Sequence, residues 1–138
     1  MQIINGVKCR TGKESLEHII KQAKKGKIGA NLDKGDDYGS CEYVYPSGNN
    51  CAVGSLFSQA QLKDIRKHHH NGSNIGFVAA THVGHKNIET VTGLKVSQLM
   101  HIQNIHDKHE GSTRIKNVIK ACEEALKTGT LHGHPITQ

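Results

Sequence analysis

Between Cys41 and Phe57 the chain reads Cys-Glu-Tyr-Val-Tyr-Pro-Ser-Gly-Asn-Asn-Cys-Ala-Val-Gly-Ser-Leu-Phe, and no other stretch limits the fold as much. Tyr43, Val44 and Tyr45 favour a strand, and Pro46-Ser47-Gly48 supplies a turn with glycine where a positive φ is wanted. Ala52 and Val53 begin a return strand. With a three-residue loop, Tyr45 faces Asn49, Tyr43 faces Cys51 and Cys41 faces Val53. Side chains alternate with period two, so Cys41, Tyr43, Cys51 and Val53 then share one face. The stretch predicts a β-hairpin over about 41–53 and marks no activity.

Helical periodicity accounts for most of the rest. Thr11-x-x-Glu14 and Ser58-x-x-Gln61 fit capping boxes. The first opens a helix to about Lys25 with Leu16, Ile19, Ile20 and Ala23 at spacings of three and four; the second opens one to about His69 with Leu62 and Ile65 inward. Ile75–Ala80 is a short β-prone run, and Val83–Thr92 reads as a glycine-bearing connection. A helix over about Val96–His109 follows. The last helix starts at Ser112 or Thr113, ends at Thr128-Gly129, and carries the stripe Ile115, Val118, Ile119, Cys122, Ala125 and Leu126. The expected fold is a single α+β domain spanning 1–138. Its small antiparallel hairpin packs against about four helices, and residues 130–138 form a loose tail.

The 138 residues include no Trp and only two Phe, Phe57 and Phe77, so aliphatic side chains must build the core. A thin core makes a homo-oligomer a natural way to bury more area. No run of about 18 apolar residues occurs, which excludes a membrane-spanning helix and a membrane partner. Asn5, Gly6, Lys8 and Arg10 interrupt any signal-peptide core, and a cytoplasmic address is expected. In that compartment Cys9, Cys41, Cys51 and Cys122 read as reduced structural thiols rather than disulfides.

Histidine is abundant, 11 in the chain, and three chemistries compete for it. His82-x-x-His85 and His106-x-x-His109 have a spacing that can place two imidazoles on one ion, zinc being compatible but not favoured. No Cys-x-x-Cys is present, and no carboxylate forms an obvious completed constellation with them. His85, His101 or His106 with Lys86 or Asp107 could serve acid–base cleavage of a phosphodiester or nucleotide bond. Yet Gly72-Ser73-Asn74-Ile75-Gly76 matches neither a P-loop nor a dinucleotide fingerprint, and no nucleophile is marked.

The third chemistry is anion recognition. The formal charge is +6 with neutral histidine, and basic stretches occur at Lys21–Lys27, at Lys63–His70 and around the last two helices. Arg66, Lys67, His68, Arg114 and Lys116 are the chosen anion contacts, since the arginine fork suits phosphate. Solvated helix faces are charged for no further reason in many proteins, so this pattern is unspecific. No aromatic interleaving supports stacking on single strands, and no helix-turn-helix or zinc finger can be assigned.

Cys41-x-Tyr43, Pro46-x-Gly48-x-x-Cys51-Ala52-Val53-Gly54-x-Leu56 and the later Leu99-x-x-Ile102-Gln103-x-x-His106-Asp107 together resemble two motif blocks of small uncharacterised proteins of bacteriophages and mobile elements. Ser55 stands where those relatives often carry a third cysteine. The resemblance implies a phage-type accessory protein acting in the host cytoplasm, and carries over no catalytic residue. The expectation is a non-catalytic protein that binds an anionic partner: a nucleotide, a nucleic acid or an acidic host defence protein, in counter-defence or host takeover. The alternative is a metal- or histidine-dependent phosphoesterase acting on nucleotides or nucleic acid.

Overall fold

A computed structural model describes residues 9–36, 42–71, 73–80, 84–108 and 111–138. Among the described residues the chain is mainly helical, with a small two-stranded antiparallel sheet. Its helices are α1 (Gly12–Lys24), α2 (Gln59–His68), the single turn α3 (Ile75–Val78), α4 (His85–Thr92), α5 (Val96–Lys108) and α6 (Gly111–Thr128), and the strands are β1 (Thr130–Leu131) and β2 (His134–Pro135). Short 3-10 turns occupy Leu32–Lys34 and Gly54–Leu56.

Both capping boxes form. Thr11 Oγ1 accepts from Glu14 N at 3.1 Å while Glu14 Oε1 accepts from Thr11 N at 3.0 Å. Ser58 Oγ and Gln61 Oε1 exchange the same pair of bonds at 3.1 and 2.8 Å. Each box satisfies two helix-end donors that would otherwise need water. Leu16, Ile19 and Ala23 of α1 are buried, as are Val118, Cys122 and Ala125 of α6. These stripes meet, for α1 packs most extensively on α6, and α6 in turn on α5. Leu62, Ile65, Ile75, Val78, Ile88, Val91, Leu99 and Ile102 complete an aliphatic interior.

The turn at Tyr45–Gly48 is present, closed by Gly48 N to Tyr45 O at 2.9 Å and Tyr45 N to Asn49 O at 2.8 Å. The hairpin expected over 41–53 is not, among the described residues; Cys41 lies outside them. Cys51 N reaches Glu42 O at 3.1 Å, one residue out of register with the Tyr45–Asn49 pair. The remaining backbone groups are taken by other segments. Gly29 N donates to Asn50 O and Asn50 N to Lys27 O, a parallel bridge between Ile28 and Asn50. On the other arm, Tyr43 N donates to Asn71 O at 2.9 Å, and Asn71 Nδ2 donates to Val44 O at 2.9 Å. Tyr43 and Tyr45 are buried while Glu42 and Val44 are half-buried, so period two holds on the first arm; on the second, Cys51, Ala52 and Val53 are all buried and it is lost.

The antiparallel pair lies instead at the C-terminal end, where a loose tail is expected. Thr130 pairs with Pro135 and Leu131 with His134, and Leu131 and Ile136 enter the core. Gln98 Nε2 donates to Leu131 O at 3.1 Å and His134 O at 3.2 Å. Thr137 closes the fold back on α1, with its Oγ1 accepting from Gly12 N at 2.6 Å and its carbonyl from Lys13 N at 2.9 Å.

Two further expectations change. Ile75–Val78 is helical because Asn74 caps it, Oδ1 accepting from Gly76 N at 2.7 Å, while Gln103 Oε1 accepts from Ile75 N at 2.9 Å. The presumed connection before residue 93 contains α4, whose Ile88, Val91 and Thr92 are buried at helical spacing. Gly93, at φ 68°, ends it where a Cβ would meet Gly12 N at 2.4 Å.

Candidate functional site

Arg66, Lys67 and His68 are exposed on the last turn of α2, with His68 Nε2 3.8 Å from Asp64 Oδ1. Lys116 is exposed on α6. Arg114 is not a surface cation: it is 3% exposed. Its Nε donates to His106 O at 2.8 Å, and a terminal nitrogen lies 3.5 Å from the Tyr45 hydroxyl. The carbonyls that end α5 carry partial negative charge and draw the guanidinium inward. Arg114 also continues the Val118–Cys122 stripe by one turn, which the sequence pattern could have shown. None of these five residues lines the clefts described below.

Of the metal candidates, His85 is exposed at the start of α4 and His106 is fully buried on α5, its Nδ1 3.1 Å from Asp107 Oδ1. His82 and His109 lie outside the described residues. Among the described residues, no three His, Cys, Asp or Glu side chains gather so as to hold a metal ion.

A cleft lined by charges of both signs lies on the outer face of α1. Arg10, Glu14, Glu17, His18 and Lys21 line an open space of about 340 Å³. Positions 14, 17, 18 and 21 recur at helical spacing on one face, and Leu16, Ile19 and Ala23 bury the opposite one. Two consecutive carbonyls of the Gly54–Leu56 turn hold the site: Ser55 O lies 3.1 Å from His18 Nε2, and Leu56 O accepts from an Arg10 terminal nitrogen at 2.9 Å. Arg10 is further fixed by its backbone N–H, which donates to Val91 O at 3.0 Å.

A carbonyl oxygen only accepts, so Nε2 of His18 carries a proton and the neutral ring leaves Nδ1 bare. Burial holds His18 below the ordinary value of 6.5, and Arg10 adds to this, as do Lys21 and Lys25; the Ser55 bond opposes them in part. Three cations thus act on one imidazole. Of the two carboxylates on the wall, Glu14 is engaged by the Thr11 N–H, and Glu17 is exposed.

A second pair of clefts, about 300 and 310 Å³, meets at His101 on α5. The His101 ring stacks on His132 with centroids 4.7 Å apart and planes at 24°. Burial, then His132 and Lys108, lower the His101 pKa from 6.5, so the stack disfavours its own protonation.

Sequence reasoning noted the basic run containing Lys21 and Lys25 but passed over Arg10 and His18 as site residues. His18, Lys21 and Lys25 do recur on one helix face. The contribution of Arg10 and the two carbonyls depends on residues 37 and 46 positions apart meeting in space. No family model, curated protein or solved structure matches the chain. No helix among the described residues is long and apolar enough to cross a membrane.

Proposed function

We propose that this protein binds an anionic partner without transforming it, and that a phosphate of that partner sits in the Arg10–His18–Lys21 cleft. One observation carries the reading: Arg10 and His18 are anchored side by side on the carbonyls of Leu56 and Ser55, with Lys21 lining the same space. A preorganised guanidinium loses little freedom when an anion arrives, and its fork suits phosphate oxygens. The segment carrying those carbonyls belongs to the Cys-Ala-Val-Gly-x-Leu motif. That motif's resemblance to phage and mobile-element proteins supports a role as an accessory protein in counter-defence, with a nucleotide, nucleic acid or acidic host protein as partner.

Titration calorimetry of the untagged chain with pyrophosphate and with adenosine diphosphate tests this. Binding should weaken as salt rises. Lys21→Ala, an exposed change, should weaken it about tenfold, equal to the loss of roughly 1.4 kcal/mol. Arg10→Ala should weaken it at least as much, and Arg66→Ala and Lys116→Ala should leave it unchanged. Phosphorus NMR of the recovered nucleotide should show it intact. Absence of binding, or insensitivity to Lys21→Ala, overturns the site; conversion of the nucleotide overturns the non-catalytic reading in favour of a phosphoesterase.

A further inference from the structure

Resting on the anion-binding reading above, we infer that the cleft selects a terminal phosphate, as in a monoester or pyrophosphate, over a phosphodiester, and that His18 takes up a proton at Nδ1 as this group binds.

The geometry of one hydrogen bond sets the argument. Ser55 O holds the Nε2 edge of His18 at 3.1 Å, so the neutral ring offers an incoming phosphate only the lone pair of Nδ1. Two lone pairs repel, and a phosphate oxygen has no proton to give once it is fully ionised. Protonation turns Nδ1 into a charged donor, which makes a stronger bond than a neutral one. Anion and proton therefore favour each other, and the coupling is reciprocal.

Burial and the charged groups around the ring set its resting state. Burial first, then Arg10, Lys21 and Lys25, disfavour a positive charge on the ring, while Glu14 and Glu17 line the same cleft. The packed Gly54–Leu56 turn presents the Ser55 carbonyl to the ring and the Leu56 carbonyl to Arg10. Burial and this field together favour neutral His18, and an anion between Arg10 and Lys21 cancels part of the field's share. The proton comes from solvent.

Ligand class follows from charge and oxygen count. A phosphodiester carries one negative charge and two non-bridging oxygens, which Arg10 and Lys21 can satisfy alone. A terminal phosphate near neutrality carries about two charges and three such oxygens. The third oxygen has a use for a third donor, and the doubled charge draws the proton more strongly.

Calorimetry in two buffers of different ionisation heat tests the inference, using the untagged full chain. The probes are sulfate, a dianion that does not titrate near neutrality, then pyrophosphate and dimethyl phosphate. Sulfate should bind with net proton uptake, and its affinity should rise as pH falls, by up to about tenfold per pH unit while His18 starts neutral. His18→Gln keeps a donor for Ser55 O and should bind sulfate with no proton uptake and no pH dependence. Pyrophosphate should bind at least about tenfold more tightly than dimethyl phosphate. Should the variant not fold, NMR titration of the wild-type His18 ring decides, its midpoint moving upward when sulfate is added. Sulfate binding without proton uptake, or equal affinity for pyrophosphate and dimethyl phosphate, overturns this inference and leaves the anion site standing. Failure of all three probes to bind overturns both.

Discussion

Gly54 lies against Tyr43 so closely that a Cβ added to it would sit 2.7 Å from the Tyr43 carbonyl oxygen and 3.1 Å from its Cα. That contact joins the two arms of the Tyr45–Gly48 turn where ladder hydrogen bonds do not. It also sets the position of the next two residues, whose carbonyls hold His18 and Arg10.

Gly54→Ala should therefore destabilise the fold by about 1–3 kcal/mol, because the opposing atoms are backbone and cannot rotate away. The same change should weaken pyrophosphate binding through displacement of Ser55 and Leu56. Urea unfolding and calorimetry on one preparation check both effects. A neutral Gly54→Ala would mean that the two arms can separate freely.

The thiols should divide by burial. Cys9 is exposed, whereas Cys51 and Cys122 are buried. Burial, with a smaller contribution from Glu123, pushes the Cys122 thiol up to about 12. In a Cys41→Ser background, a thiol reagent at neutral pH should modify Cys9 rapidly and the other two only on unfolding. Cys122 contributes stability below pH 9.0, its unfolded value, and that contribution declines as pH rises toward about 12. Fast labelling of Cys122 in the folded chain would contradict the packing of α6.

The C-terminal segment should behave as core. Ile136 is 5% exposed, and Ile136→Ala should cost roughly 2–4 kcal/mol, the usual range for a buried aliphatic truncation. Hydrogen exchange should also show protection at Ile136 N, which donates to Gly129 O at 2.9 Å. Unchanged stability would restore the picture of a loose tail.

Acid should destabilise the protein in two stages. His18 and His101 are both held below 6.5, chiefly by burial. The unfolded chain therefore binds protons first, and stability falls as pH drops from about 6.5 through their folded values. Asp36 responds lower down. Burial raises its pKa, but hydrogen bonds from Asn31 N, Ser47 Oγ and Ser47 N outweigh it and hold it below 3.8. Its contribution is present above 3.8 and is lost as pH falls through its folded value. Melting temperature against pH should show both stages. The His18→Gln, His101→Gln double variant should flatten the first, and a first stage of unchanged size would exclude these two rings as its source.

Features set by neighbours in the chain were legible before any coordinates. Both capping boxes, the Leu16–Ile19–Ala23 and Val118–Cys122–Ala125 stripes and the Pro46–Gly48 turn rest on residues within about one helical turn of each other, whose geometry is fixed by steric and hydrogen-bonding rules. The exposure of Arg66, Lys67, His68 and Lys116 was likewise readable from helix periodicity. Tertiary structure alone decided which backbone groups found which partners. Asn50 went to Ile28 and Tyr43 to Asn71, the two-stranded sheet formed at residues 130–135, and Arg114 turned inward to the end of α5. The physical reason is the same in each case. A strand-like arm has no preferred partner until distant segments compete for its donors and acceptors, and an arginine's charge has no address until a carbonyl is brought within reach.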